Sequence, residues 1–211
     1  MKIGVIGATG KVGSLVVKEA IERGHDVTAI VRSAAKVTNS ISIIEREVFD
    51  LVADDIRSFD VVVNAFGAPL GEEQPHVDAG RALIAAAEEA QTRIVVVGGA
   101  GSLFVDKAHT TRVMDTPDFP DLFLPTATGQ GRNLADLQAT TNVNWTFISP
   151  SAHFDAEGAR TGTYTSGGDE LLVNSKGESY ISYADFAIAV LDEIEQPKHE
   201  KQRFTVVGEQ A

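Results

Sequence analysis

Apolar residues along the chain fall into short uninterrupted runs separated by stretches in which they recur every three to four positions. Runs at 2–6, 27–31, 60–64, 93–97 and 144–149, with a weaker one at 42–48, read as buried strands bounded by Gly, Asp and Asn. Between them, Val12, Leu15, Val16, Ala20 and Ile21 form one helical stripe, and the alanines and leucine of 77–90 form another. A third stripe, with Leu134 and Leu137, occupies 131–140. Strand and helix therefore alternate, and the alternation predicts a parallel sheet covered by helices on both faces, a doubly wound α/β fold. After 150 the pattern weakens: short strands at 161–165 and 170–173, a helix starting with Ser182 three residues before Asp185, and a last strand at 203–207. The chain reads as one domain over 1–211, with about 150–211 forming a small cap that lines a substrate cleft.

In a sheet of this kind ligands bind beyond the carboxyl ends of the strands. The first such end carries Gly7-Ala8-Thr9-Gly10-Lys11-Val12-Gly13, between an apolar strand and a helix. That order suits a dinucleotide. Gly7 permits the tight turn, Gly10 lets backbone approach a pyrophosphate, and Gly13 lets the helix pack on the strand. N–H groups at the helix start then face the phosphates. The fold is thus of the Rossmann type. The first side chain beyond the second strand is Arg32, where an acidic residue would select NAD and a guanidinium accommodates a 2′-phosphate. The expected cofactor is NADP(H), with NAD(H) left possible.

Other strand ends supply further candidates. Asp50 either meets the adenine edge or caps a short helix beginning at Leu51. Asn64, Ala65, Phe66 and Gly67 form a turn able to pass the ribose and nicotinamide. Gly98-Gly99-Ala100-Gly101-Ser102 would let a ligand approach backbone, with the Ser102 hydroxyl either at the nicotinamide or merely part of a turn. Residues 103–125 are irregular and broken by Pro117 and Pro120, a lid candidate. Trp145 and Phe147 read as packing residues.

Composition narrows the partners. Eighteen basic against 30 acidic residues give a net charge of −12, which disfavours nucleic acid and anionic membrane. With no cysteine and five scattered histidines, neither thiol chemistry nor a metal site is expected. No signal peptide or long apolar run is evident, so the expected location is cytoplasmic. The pattern leaves the oligomeric state open.

These motifs carry a resemblance. Gly7-Ala8-Thr9-Gly10-x-x-Gly13 with Arg23-Gly24-His25-x-Val27, then Asn142-Val143-Asn144-Trp145-x-x-Ile148-Ser149-Pro150-Ser151, then Asp169-x-Leu171-Leu172-Val173 through Gly177-x-Ser179-x-Ile181 to Glu195-x-Pro197, resemble atypical short-chain dehydrogenase/reductases. The similar group is that of NmrA and biliverdin reductase B, and within it the Rrf2-linked NADH-flavin reductases. The resemblance implies hydride transfer from nicotinamide to a free flavin or flavin-like acceptor, with flavin as substrate rather than resident group. It places the nicotinamide near Ser102 and Pro150, with Ser102 and His153 as catalytic candidates. His153 either donates a proton or only packs. One departure is visible: Tyr164, Tyr180 and Tyr183 are followed four residues on by Gly168, Ala184 and Ala187, so the Tyr-x-x-x-Lys acid/base pair of typical members is missing. An NmrA-like dinucleotide sensor without turnover, or a sugar epimerase, remains the alternative reading.

Overall fold

A computed structural model describes residues 1–38 and 40–210. Strands β1 (Lys2–Ile6), β2 (Asp26–Val31), β3 (Ser42–Glu45), β4 (Val61–Asn64), β5 (Arg93–Val97) and β6 (Trp145–Ser149) are followed by β7 (His153–Asp155), β8 (Thr165–Gly167), β9 (Tyr180–Ser182) and β10 (Gln202–Val207). Helices are α1 (Lys11–Glu22), α2 (Ala53–Ile56), α3 (Gln74–Ala90), α4 (Leu124–Ala139) and α5 (Tyr183–Glu195). Eight strands form one sheet in the order β3-β2-β1-β4-β5-β6-β10-β8, all pairings parallel except β10 with β8. The order reverses between β1 and β4, which places the topological switch point at the glycine turn after β1.

Two-residue alternation splits the core between the faces. Ile3, Val5, Val61, Val63 and Val95 pack toward α1 and α5, while Ile6, Val62, Ile94 and Val96 pack toward α3 and α4. The doubly wound Rossmann-type fold is therefore as the alternation implies. Trp145 and Phe147 are buried in the second core, as expected for packing residues.

Three local expectations change. The run at 42–48 pairs only through Glu45, because charged Arg46 and Glu47 follow on an exposed edge strand and 48–50 closes as a 3-10 turn. Helix α4 begins at Leu124 rather than at 131. Pro125 is tolerated in its first turn, and Gly129 is what lets it approach α3, since a Cβ there would meet Glu73 O and His76 Cβ. Helix packing outweighs the low propensity of two glycines. The strand expected at 161–165 is displaced to Thr165–Gly167, and the one expected at 170–173 does not form. Thr161 and Gly162 instead donate their N–H groups to the buried carboxylate of Asp185, and Leu171 N donates to Phe104 O.

Of residues 150–211, β10 and β8 extend the main sheet and α5 covers its face, with Ser182 Oγ accepting from Asp185 N at 3.0 Å as the helix cap. The part that stands beside the strand ends is the two-stranded pair β7–β9 with its flanking loops.

Candidate active site

A cleft of about 1290 Å³ runs along the carboxyl ends of β1, β2, β4, β5 and β6. Its inner wall is the turn after β1. Gly7 adopts φ +72°, and a Cβ on it would strike the carbonyl of Ala65 on the neighbouring strand end. Gly10 N donates to Gly7 O at 2.8 Å, and Ser14 N to Gly10 O at 2.9 Å. A Cβ on Gly13 would collide with Gly7 O, so this glycine sets how closely α1 packs on the turn. Gly10 is the N-cap of α1 and no side chain caps the helix, which leaves first-turn N–H groups directed at the cleft, an anion site by geometry. Gly7, Thr9, Gly10, Lys11 and Val12 line the cleft. Ala8 is buried and, with Gly13, lies outside the lining, where both serve packing. The residues present fit a dinucleotide diphosphate.

At the β2 end, Arg32, Lys36 and Arg46 form a basic rim with Lys11. Arg46 Nη2 is engaged by Asp55 at 3.0 Å. Among the described residues Arg32 and Lys36 have no carboxylate within ion-pair distance. In a chain of net charge −12, this local cluster can hold a phosphate where the surface as a whole repels anions. Asp50, expected at the adenine edge or as a helix cap, is exposed and lies outside the lining, and it is Asp55 that caps α2 by accepting from Val52 N. Its neighbours Val48 and Phe49 line the cleft instead, because the 3-10 turn rotates successive side chains to different sides.

Beyond β4, Ala65, Phe66 and Gly67 line the cleft. Asn64 is buried beneath them, its Oδ1 accepting from Phe66 N at 3.1 Å, which shapes the turn. Phe66 meets Phe49 edge-on at 5.6 Å and His76 at 5.9 Å.

The glycines after β5 have a second reason besides the one expected. A Cβ at Gly98 would overlap the Phe147 ring, one at Gly99 would overlap Gln130 Oε1, and one at Gly101 would lie 2.6 Å from Ala127 Cβ. They make room for the protein's own side chains, although their backbone still lines the cleft. Ser102 is the clearest correction. It lies outside the lining, with its Oγ accepting from Arg203 Nη1 at 3.1 Å and its carbonyl from the same nitrogen at 2.9 Å. Arg203, itself buried, also holds Asp169 at 2.6 Å. The hydroxyl therefore belongs to an anchor between β10 and the loop after β5.

The far wall is formed by Pro150, Ser151, Ala152, His153 and Phe154, with Tyr183 from α5. His153 is exposed, its backbone N bonded to Ser179 O and its ring edge-on to Tyr180 at 5.2 Å. Beside it, Tyr180 Oη donates to Asp155 Oδ2 at 3.1 Å. The Glu157 N–H, the Tyr180 hydroxyl and the nearby His153 hold the Asp155 carboxyl below its ordinary value. Tyr183 packs its ring on Phe154 at 4.0 Å, and burial raises its pKa, which makes it a poor acid. The lid candidate forms the outer wall: Val113, Thr116, Asp118, Phe119, Pro120 and Phe123 face the cleft. Leu103 and the bridges of Phe104 to Arg112 and Glu170 fix its base.

Sequence reasoning missed His76, Thr126, Gln130 and Tyr183. His76 carried the one available signal, a position in the first turn after a strand-end loop. Thr126 and Gln130 sit on a helix whose start the glycines obscured.

The profile of the NAD(P)H-binding family matches residues 7–197 of the chain. An uncharacterised protein of Bacillus subtilis, YwnB, is 62% identical over 211 residues, covering 99% of each chain. A solved structure from Streptococcus pneumoniae, described as a candidate NADH-flavin reductase, is 44% identical with a TM-score of 0.93, covering 99% of this chain and 100% of that one. Another from Bacteroides thetaiotaomicron, described as a candidate epimerase, is 34% identical with a TM-score of 0.90, covering 100% and 98%. No helix is long and apolar enough to cross a membrane among the described residues.

Proposed function

The chain belongs to the NAD(P)H-binding family, and from that premise we propose that it is a reductase passing hydride from NADPH to a free flavin or a related planar acceptor. The observation that carries the reading is the cleft itself. One end offers the uncapped start of α1 and a basic rim, and the other offers apolar and aromatic walls, Phe66, Phe119, Phe123 and Phe154, with few polar groups. Similarity to the streptococcal protein described as a candidate NADH-flavin reductase supports the same choice.

Bound NADPH supplies two electrons as hydride, and reduction of the acceptor is completed by one proton. The chain's own part is alignment. The turn at Gly7, Gly10 and Lys11 would hold the diphosphate, and Arg32 with Lys36 would take the 2′-phosphate. Pro150 and the turn at Ala65–Gly67 would bound the nicotinamide, and the aromatic walls would hold the acceptor beside it and exclude water, a task of proximity and orientation. A flavin ring takes hydride without a strong general acid, so the missing Tyr-x-x-x-Lys pair is no obstacle. His153, exposed at the rim, is the side chain we assign to relay that proton from water. The same missing pair speaks against transfer to a carbonyl and against the epimerase chemistry suggested by the Bacteroides relative's description.

The test is to mix purified protein with NADPH and FMN, FAD or riboflavin and follow the nicotinamide absorbance. Oxidation above the uncatalysed rate is expected. Tight NADPH binding with no turnover of any acceptor would replace the reductase with a dinucleotide sensor.

A further inference from the structure

The floor of the acceptor end, between α3 and α4, holds polar atoms that the function above does not use. His76, in the first turn of α3, is only 8% exposed, and its Nε2 is enclosed with no hydrogen-bond partner among the described residues. Thr126 Oγ1, in the first turn of α4, is likewise enclosed and unpartnered. Gln130, one turn further along α4, reaches across to Gly99, its Oε1 occupying the space a Cβ on that residue would need. All three line the cleft. A smaller chamber of about 10 Å³ shares Phe66, His76, Val97 and Gln130 with the cleft and adds Asn64 and Asn133, which is room for about one bridging water.

Buried polar groups are almost always hydrogen-bonded, so two unpartnered ones on the floor of one cavity point to a ligand that pairs with them. We infer that His76, Thr126 and Gln130 form a polar subsite for the hydrogen-bonding edge of the acceptor, which makes that acceptor a planar heterocycle with neighbouring C=O and N–H groups. The inference rests on the reductase reading and adds the chemistry of the substrate edge. The imidazole, kept neutral because burial lowers its pKa, offers one donor and one acceptor. The threonine hydroxyl and the glutamine amide each offer both. That mixed set matches a lactam or imide edge. A quinone, which presents acceptors alone, would leave the acceptor atoms of the site unpaired. Phe66, edge-on to His76 at 5.9 Å, fixes the plane in which the edge is read.

The experiment measures binding of riboflavin, and of riboflavin methylated on its imide nitrogen, by flavin fluorescence to protein saturated with NADP⁺. Wild type is expected to prefer riboflavin by at least about tenfold, since a site built around a substrate N–H rejects the analogue lacking it. Both Thr126→Val and His76→Phe should reduce that preference to within about threefold, with NADP⁺ affinity retained as the control for folding. Equal binding of the two flavins by wild type, no binding of riboflavin, or an unchanged preference in both variants would overturn the subsite. Selective riboflavin binding without NADPH oxidation would refute the reductase reading and leave the subsite standing. Turnover of both flavins with equal KM would do the reverse.

Discussion

Replacing Arg32 by alanine should separate the two pyridine coenzymes. The side chain is exposed at the cleft rim, and among the described residues no carboxylate pairs with it, so its charge is available to a ligand. Arg46, the other guanidinium on the rim, is already engaged by Asp55 at 3.0 Å and contributes less. A charged hydrogen bond is worth about 1.5–3 kcal/mol, and the exposed, solvent-screened setting argues for the lower part of that range. Taking about 1.5–2.5 kcal/mol at 1.4 kcal/mol per decade, the Kd for NADPH should rise about 10–60-fold. That for NADH, which has no 2′-phosphate, should change less than about twofold. Isothermal titration calorimetry at two ionic strengths gives a second check. The wild-type advantage for NADPH should shrink as salt rises and the Debye length falls from about 30 Å at 0.01 M to about 8 Å at 0.15 M. An equal loss for both coenzymes, or no loss for NADPH, would remove Arg32 from the phosphate site.

Three further outcomes are expected. Gly7→Ala puts a Cβ at φ +72° and against the Ala65 carbonyl, a combined cost of about 3 kcal/mol. Thermal unfolding should therefore show Tm lower by about 6–12 °C, and an unchanged Tm would mean the turn differs from that described. Ser102→Ala removes one hydrogen bond from Arg203 and should cost about 1 kcal/mol of stability while kcat stays within about twofold; a tenfold fall in kcat would return its hydroxyl to the reacting ring. His76 has its folded pKa pushed below 6.5 by burial, so below pH 6.5 the unfolded chain binds a proton that the folded one refuses. The stability it contributes is thus full above pH 6.5 and is lost as pH falls toward the folded value. Between pH 7.5 and 5 the Tm of wild type should drop more than that of His76→Gln, and parallel curves would contradict the burial of a neutral ring.

Much of the fold could be read from the chain because its determinants are local. The run Ile3 to Ile6, the three glycines and the stripe from Val12 to Ile21 state in one stretch a buried strand, a turn needing φ > 0 and a packed helix. No distant residue is required to choose among them. The same holds for Arg32, placed by chain order just past β2, and for the capping serine of α5. Where local preference and tertiary packing disagreed, packing won: α4 runs through two glycines because Gly129 fits against α3.

The site shows the same division more sharply. Which strand ends face the cleft follows from the alternation of elements, but which side chains turn into it depends on partners far away in sequence. Ser102 is withdrawn by Arg203, 101 residues later. Gly98 is bare for the sake of Phe147, and the floor of His76, Thr126 and Gln130 exists only because α3 and α4 meet. Backbone conformation is limited by each residue and its neighbours, and a sequence expresses it directly. The direction of a side chain is decided by whichever group across the fold can best bury or bond it, and only the folded chain brings that group into reach.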